Sequence, residues 1–249
     1  MFPTFGLWDI ILILVVTAQA SILAYISDPK KKSFVIVFPF PFTIATISLG
    51  GVIDATNVLG LVSLAFFTYG VWFFYTKLRF NIVFSIIFFA LVYCLVGIFL
   101  AGMINRSDFT FWVSVLFVSI FALCLAFFTP CVEENPYRTD LPVWIKVPII
   151  AVVIVFLITL KKYLSGFMTV FPMVGVIAAY EGRFMLKSLC RQIPLLSISL
   201  ISLMMTAKIL MTFINPYLSL LAGWITFLFV LKLTGNFLWN QFCLEKLKS

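Results

Sequence analysis

Phe34-Val35-Ile36-Val37-Phe38-Pro39-Phe40-Pro41-Phe42 opens an uncharged stretch, residues 34–51, that also holds Thr43, Thr46 and the Gly50-Gly51 pair. Proline lacks a backbone donor, and its ring clashes with the carbonyl four residues back, so a helix through Pro39 and Pro41 must break or kink. In hydrocarbon the freed backbone groups need partners or must line a wet cavity. The chain repeats the device 133 residues later. Phe167-Met168-Thr169-Val170-Phe171-Pro172 matches Phe34–Pro39 at four of six positions, and Ile177-Ala178 falls on Ile44-Ala45. At the same offset Phe213 falls on Phe80 and Gly235 on Gly102, without a gap.

Working outward, the rest of the chain is of the same kind. Of 249 residues, 63% are apolar and 10% charged, with 30 phenylalanines; mean hydropathy is +1.19. A soluble domain carries about 25% charged residues, so a soluble globular enzyme, a disordered chain and a secreted disulfide scaffold are excluded. A bilayer span needs about 20 apolar residues, and apolar runs fall at 8–27, 34–51, 57–75, 80–104, 110–129, 143–160, 165–180, 193–214 and 217–240. The expected fold is all-α: a polytopic membrane bundle of about nine spans. The first helix is expected to be retained, since no basic n-region or small-residue cleavage site accompanies it.

With spans 1–4 laid over spans 6–9, span 5 is left between two units, a 4+1+4 plan. This divides the chain into a first repeat (1–108), a linker helix and loop (109–142) and a second repeat (143–249), all within one membrane domain. The odd span inverts one unit relative to the other, as in many secondary transporters. Chance matching in a chain rich in Phe, Val and Ile is the competing explanation. The cations support inversion. If Lys30–Lys32 are cytoplasmic, twelve Lys and Arg fall inside and three outside, with Lys208 and Lys232 within spans. By the positive-inside rule the N-terminus is then outside and the C-terminus cytoplasmic. The balance of 17 basic to 9 acidic residues reads as orienting loops rather than as a nucleic-acid surface.

Catalytic chemistry has little to stand on. There is no histidine, and no G-x-S-x-G, H-E-x-x-H, nucleotide-binding loop or paired carboxylates appears. No catalytic residue, metal site or cofactor is therefore expected. Cys94, Cys124, Cys131, Cys190 and Cys243 form no C-x-x-C pair and read as free buried thiols.

Paired short segments broken by proline are the best sequence pointer to a binding site in a transporter. Substrate contacts are accordingly expected around Pro39, Pro41, Thr43 and Thr46 in span 2 and Pro172 and Gly175 in span 7. Fully packed kinked helices are the alternative there. Asp54, Thr56 and Asn57 read either as a cation or proton site or the cap of a half-helix, or as an ordinary turn in which Asp54 or Thr56 is the N-cap of span 3. Glu181 reads as a protonatable group or as half of a helix-end ion pair with Arg183. Lys208, six residues from the end of span 8, reads as a counter-charge or as a snorkelling cation. Gln19 reads as glue between helices or as a ligand contact.

The segment Tyr163–Arg183, with Phe171-Pro172 followed by Glu181 and Arg183, resembles small bacterial membrane proteins of the GlpM type. There a Phe-Pro in a helix precedes a Glu-Arg pair; here Gly182 intervenes. The resemblance implies a bacterial inner-membrane protein. The expectation is a multi-pass secondary transporter for a small molecule or ion. The lipid bilayer is its medium, and a homodimer or larger complex is its possible assembly. The alternative is a non-transporting subunit or scaffold of such a complex.

Overall fold

The computed structural model describes residues 6–26, 35–129 and 163–236, with five isolated positions between 148 and 159. Helix is the only regular secondary structure among the described residues. The helices are α1 (Leu7–Tyr25), α2 (Phe40–Ser48), α3 (Ala55–Thr76), α4 (Ile82–Met103), α5 (Asp108–Phe128), the single turn α6 (Phe167–Val170), α7 (Met173–Glu181), α8 (Leu186–Leu210) and α9 (Pro216–Asn236). Five of them, α3, α4, α5, α8 and α9, are long and apolar enough to cross a bilayer.

Helix starts follow from capping chemistry. The Asp54 carboxylate accepts the Thr56 N–H at 2.8 Å, and Asn57 Oδ1 accepts the Asp54 N–H at 2.8 Å, which closes a capping box on α3. Asn81 caps α4 by accepting the Val83 N–H, and Ser107 caps α5 by accepting the Thr110 N–H. Each takes up one of the N–H groups that a helix start leaves without a partner.

The nine-span count is not confirmed by the described residues, in which five helices are long and apolar enough to span. Spans 2 and 7 are broken helices, as their prolines lead one to expect. The first has a short helical piece at 35–37, a break at Phe38-Pro39, and then α2. The second has α6, a break at Phe171-Pro172, and then α7. Pro39 and Pro172 stand at the N-caps of α2 and α7. At 1.5 Å per residue, the nine residues of α2 or of α7 cover about 14 Å of a core about 30 Å thick. The expected span 143–160 and loop 130–141 lie outside the described residues, apart from the isolated positions. α8 begins seven residues before the expected 193 because Lys187 and Arg191 occupy its first two turns, and Pro194 lies within it.

α3 and α8 form the centre. α8 packs against α3, α5, α7 and α9, while α3 packs against α4, α5, α6, α7 and α8. α4 and α5 form an outer wall. Phe84, Phe88, Leu91, Leu95 and Phe99 on α4 and Leu116, Phe117, Ile120 and Phe127 on α5 are exposed. Cys94 and Cys190 are buried cysteines outside any disulfide, whereas Cys124 is exposed on α5.

One rim of the bundle gathers Asp9, whose carboxylate accepts from the Ser48 hydroxyl at 2.5 Å, Trp8 against Tyr217, and the Arg106–Asp54 and Lys208–Asp108 contacts. Gly50 and Gly51 turn the chain there at φ +94° and +77°, a conformation that glycine adopts without strain. The stretch 35–48 ends at this rim and 166–181 begins there, beside Thr56 and Asn57. The two broken segments therefore run in opposite directions.

Candidate functional site: a cleft between two broken helices

The site begins with what the prolines leave behind. Pro39 removes the partner of the Val35 carbonyl, four residues back. The Gln19 side chain on α1 supplies a substitute: its Nε2 donates to Val35 O at 2.8 Å and to Phe38 O at 3.3 Å. Gln19 is thus glue between helices. At the second break Tyr93 on α4 donates its hydroxyl to Phe167 O at 2.8 Å, and its ring stands edge-on to Phe171 at 4.9 Å. A third proline shows the same economy. Pro194 frees Cys190 O, and Tyr69 on α3 donates to it at 3.2 Å. Each of the three prolines therefore has a side chain from another helix donating to a carbonyl nearby.

Between the breaks lies a cavity of about 90 Å³. Its walls come from the chain around Pro39 and Pro41, the chain from Thr169 to Ala179, one face of α8 from Leu186 to Leu200, and Leu64, Phe67 and Thr68 of α3. A single water needs roughly 10–15 Å³ on the same kind of measure, so the space holds more than one solvent-sized body. The polar side chains on its wall are Thr68, Thr169 and Gln192, and no charged side chain lines it among the described residues.

Four of the residues expected at the site, Pro39, Pro41, Pro172 and Gly175, line this cavity. Thr43 and Thr46 turn elsewhere. Thr43 Oγ1 donates to Pro39 O at 2.9 Å and accepts from Trp224 Nε1 on α9 at 2.9 Å, which ties α2 to α9. Thr46 Oγ1 donates to Phe42 O at 2.8 Å.

Asp54 and Asn57 belong to a buried polar knot at the rim. Besides its capping bonds, the Asp54 carboxylate accepts from Thr56 Oγ1 and faces Arg106 Nε at 3.6 Å. Asn57 Nδ2 donates to Thr169 Oγ1 at 3.0 Å, Thr56 Oγ1 accepts from Gly166 N at 3.1 Å, and Thr169 Oγ1 donates to Gly166 O at 2.7 Å. Thr169 also lines the cavity, so Asn57 stands one hydrogen bond behind the wall. Gly166 is required by this closeness. A Cβ there would overlap Thr56 Oγ1 and lie 2.7 Å from Asn57 N.

Glu181 is buried at the end of α7, just beyond the cavity-lining Ala178 and Ala179. The Arg183 guanidinium lies over the Tyr180 and Phe184 rings at 5.9 and 5.3 Å. Lys208 is at the rim, 3.0 Å from Asp108 Oδ1 and 5.8 Å from the centre of the Phe111 ring. Among the described residues, no three His, Cys, Asp or Glu side chains gather as a metal would need.

Several of the residues that make this site are not singled out by sequence reasoning. Gln192 looks like part of a basic loop because Lys187 and Arg191 precede it. Tyr69 and Tyr93 look like two more aromatic residues in runs full of them. Their signal is chemical, since each is a hydroxyl in an apolar run of a chain whose prolines leave carbonyls to be satisfied. Asp9 is legible as an acid in the first turn of a helix, where it accepts the Gly6 N–H at 3.0 Å.

Comparison of the chain with family models, with curated proteins and with solved structures gives no match.

Proposed function

We propose that this chain is a multi-pass membrane transporter that moves a small solute through the cleft between its two proline-broken segments. The observation that carries the reading is the meeting of both breaks, Pro39 and Pro172, on one cavity. Broken helices in corresponding positions of two halves are the usual setting of a transporter site. The opposite directions of the two segments and the 133-residue repeat favour a 4+1+4 inverted architecture, from which two alternating states follow. The positive-inside bias favours an N-terminus outside and a C-terminus in the cytoplasm, and the GlpM-type resemblance favours a bacterial inner membrane.

Of the carboxylates expected to couple transport to a proton or cation, Asp54 is committed to a helix cap and to Arg106. Glu181, on the segment that lines the cavity, is the better placed. Lys208, paired with Asp108 at the rim, serves to anchor rather than to bind solute.

Thiol labelling tests the reading. In a full-length chain whose native cysteines are replaced, Ala179→Cys in oriented vesicles is exposed to a membrane-impermeant thiol reagent. Reaction from either aqueous side is expected. Silence from both sides, with Met103→Cys at the rim reacting normally, overturns it in favour of a non-transporting subunit.

A further inference from the structure

Gln192 lies on α8 two residues before Pro194, is 4% exposed, and is part of the cavity wall. No hydrogen bond or ion pair holds its amide among the described residues. This is unusual company for an amide. Gln19, at similar burial, spends its donor on two carbonyls, whereas the Gln192 amide meets the open space of the cavity. The other polar groups on the wall are already engaged. Thr68 Oγ1 donates to Leu64 O at 3.0 Å, and Thr169 Oγ1 both donates and accepts within the Gly166–Asn57 knot. Among the described residues, Gln192 is therefore the wall side chain with a donor and an acceptor to offer an incoming molecule.

The rest of the wall defines what that molecule is. It is aliphatic, aromatic and proline carbon, with no charged side chain among the described residues. An ion entering it would lose its hydration without gaining a counter-charge, a cost that burial without a partner does not repay. An apolar body loses nothing, and one hydroxyl, amide or carbonyl on it would satisfy Gln192.

We infer that the cleft binds an uncharged, largely apolar molecule bearing one hydrogen-bonding group, and that the Gln192 amide reads that group. This rests on the cavity taken above as the transport site, and it names the solute class. At about 90 Å³ the space is smaller than the roughly 150 Å³ that encloses benzene, so it takes the hydroxyl end and first carbons of an alcohol whose remaining chain extends out through the mouth of the cleft. Such a molecule reaches the cleft from water or from the bilayer.

Photolabelling of the full-length protein in phosphatidylcholine proteoliposomes tests this. The probes are octanol carrying a chain diazirine and the matching octanoate. Labelled peptides are mapped, with the lipid-facing residues of α4 as internal reference. The octanol probe is expected to concentrate on 36–42, 171–179 and 189–200. Gln192→Leu should lower that labelling relative to α4 by about tenfold, the worth of one buried hydrogen bond. The octanoate probe should label the cavity at least tenfold more weakly.

Ala179→Phe, which fills the cavity and leaves Gln192 in place, should abolish the cavity label. It decides the matter if Gln192→Leu does not fold. Unlabelled octanol added from water, or monoolein built into the vesicle, should compete, and the effective one identifies the source. Labelling as even on α4 as in the cavity overturns the inference. So does cavity labelling unchanged in the variants, equal labelling by octanoate, or competition by neither compound. Cavity labelling alongside silent thiols at Ala179→Cys would leave this ligand site standing and remove the transport reading; reactive thiols without cavity labelling would do the reverse.

Discussion

Gln19 donates to two carbonyls at the Pro39 break, and its role separates two uses of a polar side chain in lipid. Inside a bilayer, helix association gains little from the hydrophobic effect, and hydrogen bonds between helices contribute roughly 0.6 to 1.7 kcal/mol each. Gln19→Leu leaves Val35 O and Phe38 O without that donor. It should lower unfolding stability by about 1–3 kcal/mol, the range for stranded buried acceptors, read as a lower thermal midpoint in detergent. Tyr93→Phe keeps the ring against Phe171 and loses only the bond to Phe167 O, so its cost should be about 1 kcal/mol. An unchanged midpoint in both variants would mean the breaks are not held by these donors. At the rim the effects should differ in kind. Asp54→Ala removes a cap and should cost about 1–2 kcal/mol. Arg106→Ala removes only a partner that is 57% exposed and should cost less than about 0.5 kcal/mol. Equal losses in the two variants would transfer the main role from the cap to the ion pair.

At the scale of the element, the segments around Pro39 and Pro172 differ from their neighbours less in composition than in where their backbone bonds end. That much is readable from residues 34–51 and 165–180, because proline chemistry is local and needs no tertiary context. Helix limits elsewhere are readable for the same reason. Asn81 and Ser107 announce α4 and α5, and the charges at Lys77 and Arg106 bound their runs. What composition hides is which helix supplies the missing donors. Tyr69, Tyr93 and Gln192 acquire their roles only when α3, α4 and α8 pack beside the breaks, over sequence separations of 121 residues for Tyr69–Cys190 and 74 for Tyr93–Phe167. The start of α8 is misread from sequence because cations at a helix end look like a loop until Lys187 and Arg191 are seen to occupy its first turns. Gly166 is another case, since its need for no side chain depends on Thr56 and Asn57, more than 100 residues away. Gly166→Ala should destabilise by about 2 kcal/mol or more, in the range of overpacking, and should uncouple Asn57 from Thr169. A variant as stable as the parent in a thermal melt would show that this knot yields easily.

At the scale of the whole molecule, α4 and α5 turn phenylalanine and leucine to the bilayer, and α3 and α8 hold the centre. Two oppositely directed broken segments then leave one cavity where their prolines meet. That arrangement is the central claim: the cleft exists because Pro39 and Pro172 prevent two helices from closing. The rate of thiol labelling at Leu196→Cys, on the cavity-facing side of α8, tests it most directly. It is compared in an otherwise cysteine-free parent and in the same chain carrying Pro39→Ala, Pro41→Ala and Pro172→Ala. The account predicts labelling in the parent and a rate at least about tenfold lower when both helices are free to continue. Equal rates in the two chains would contradict it, as would no reaction in the parent.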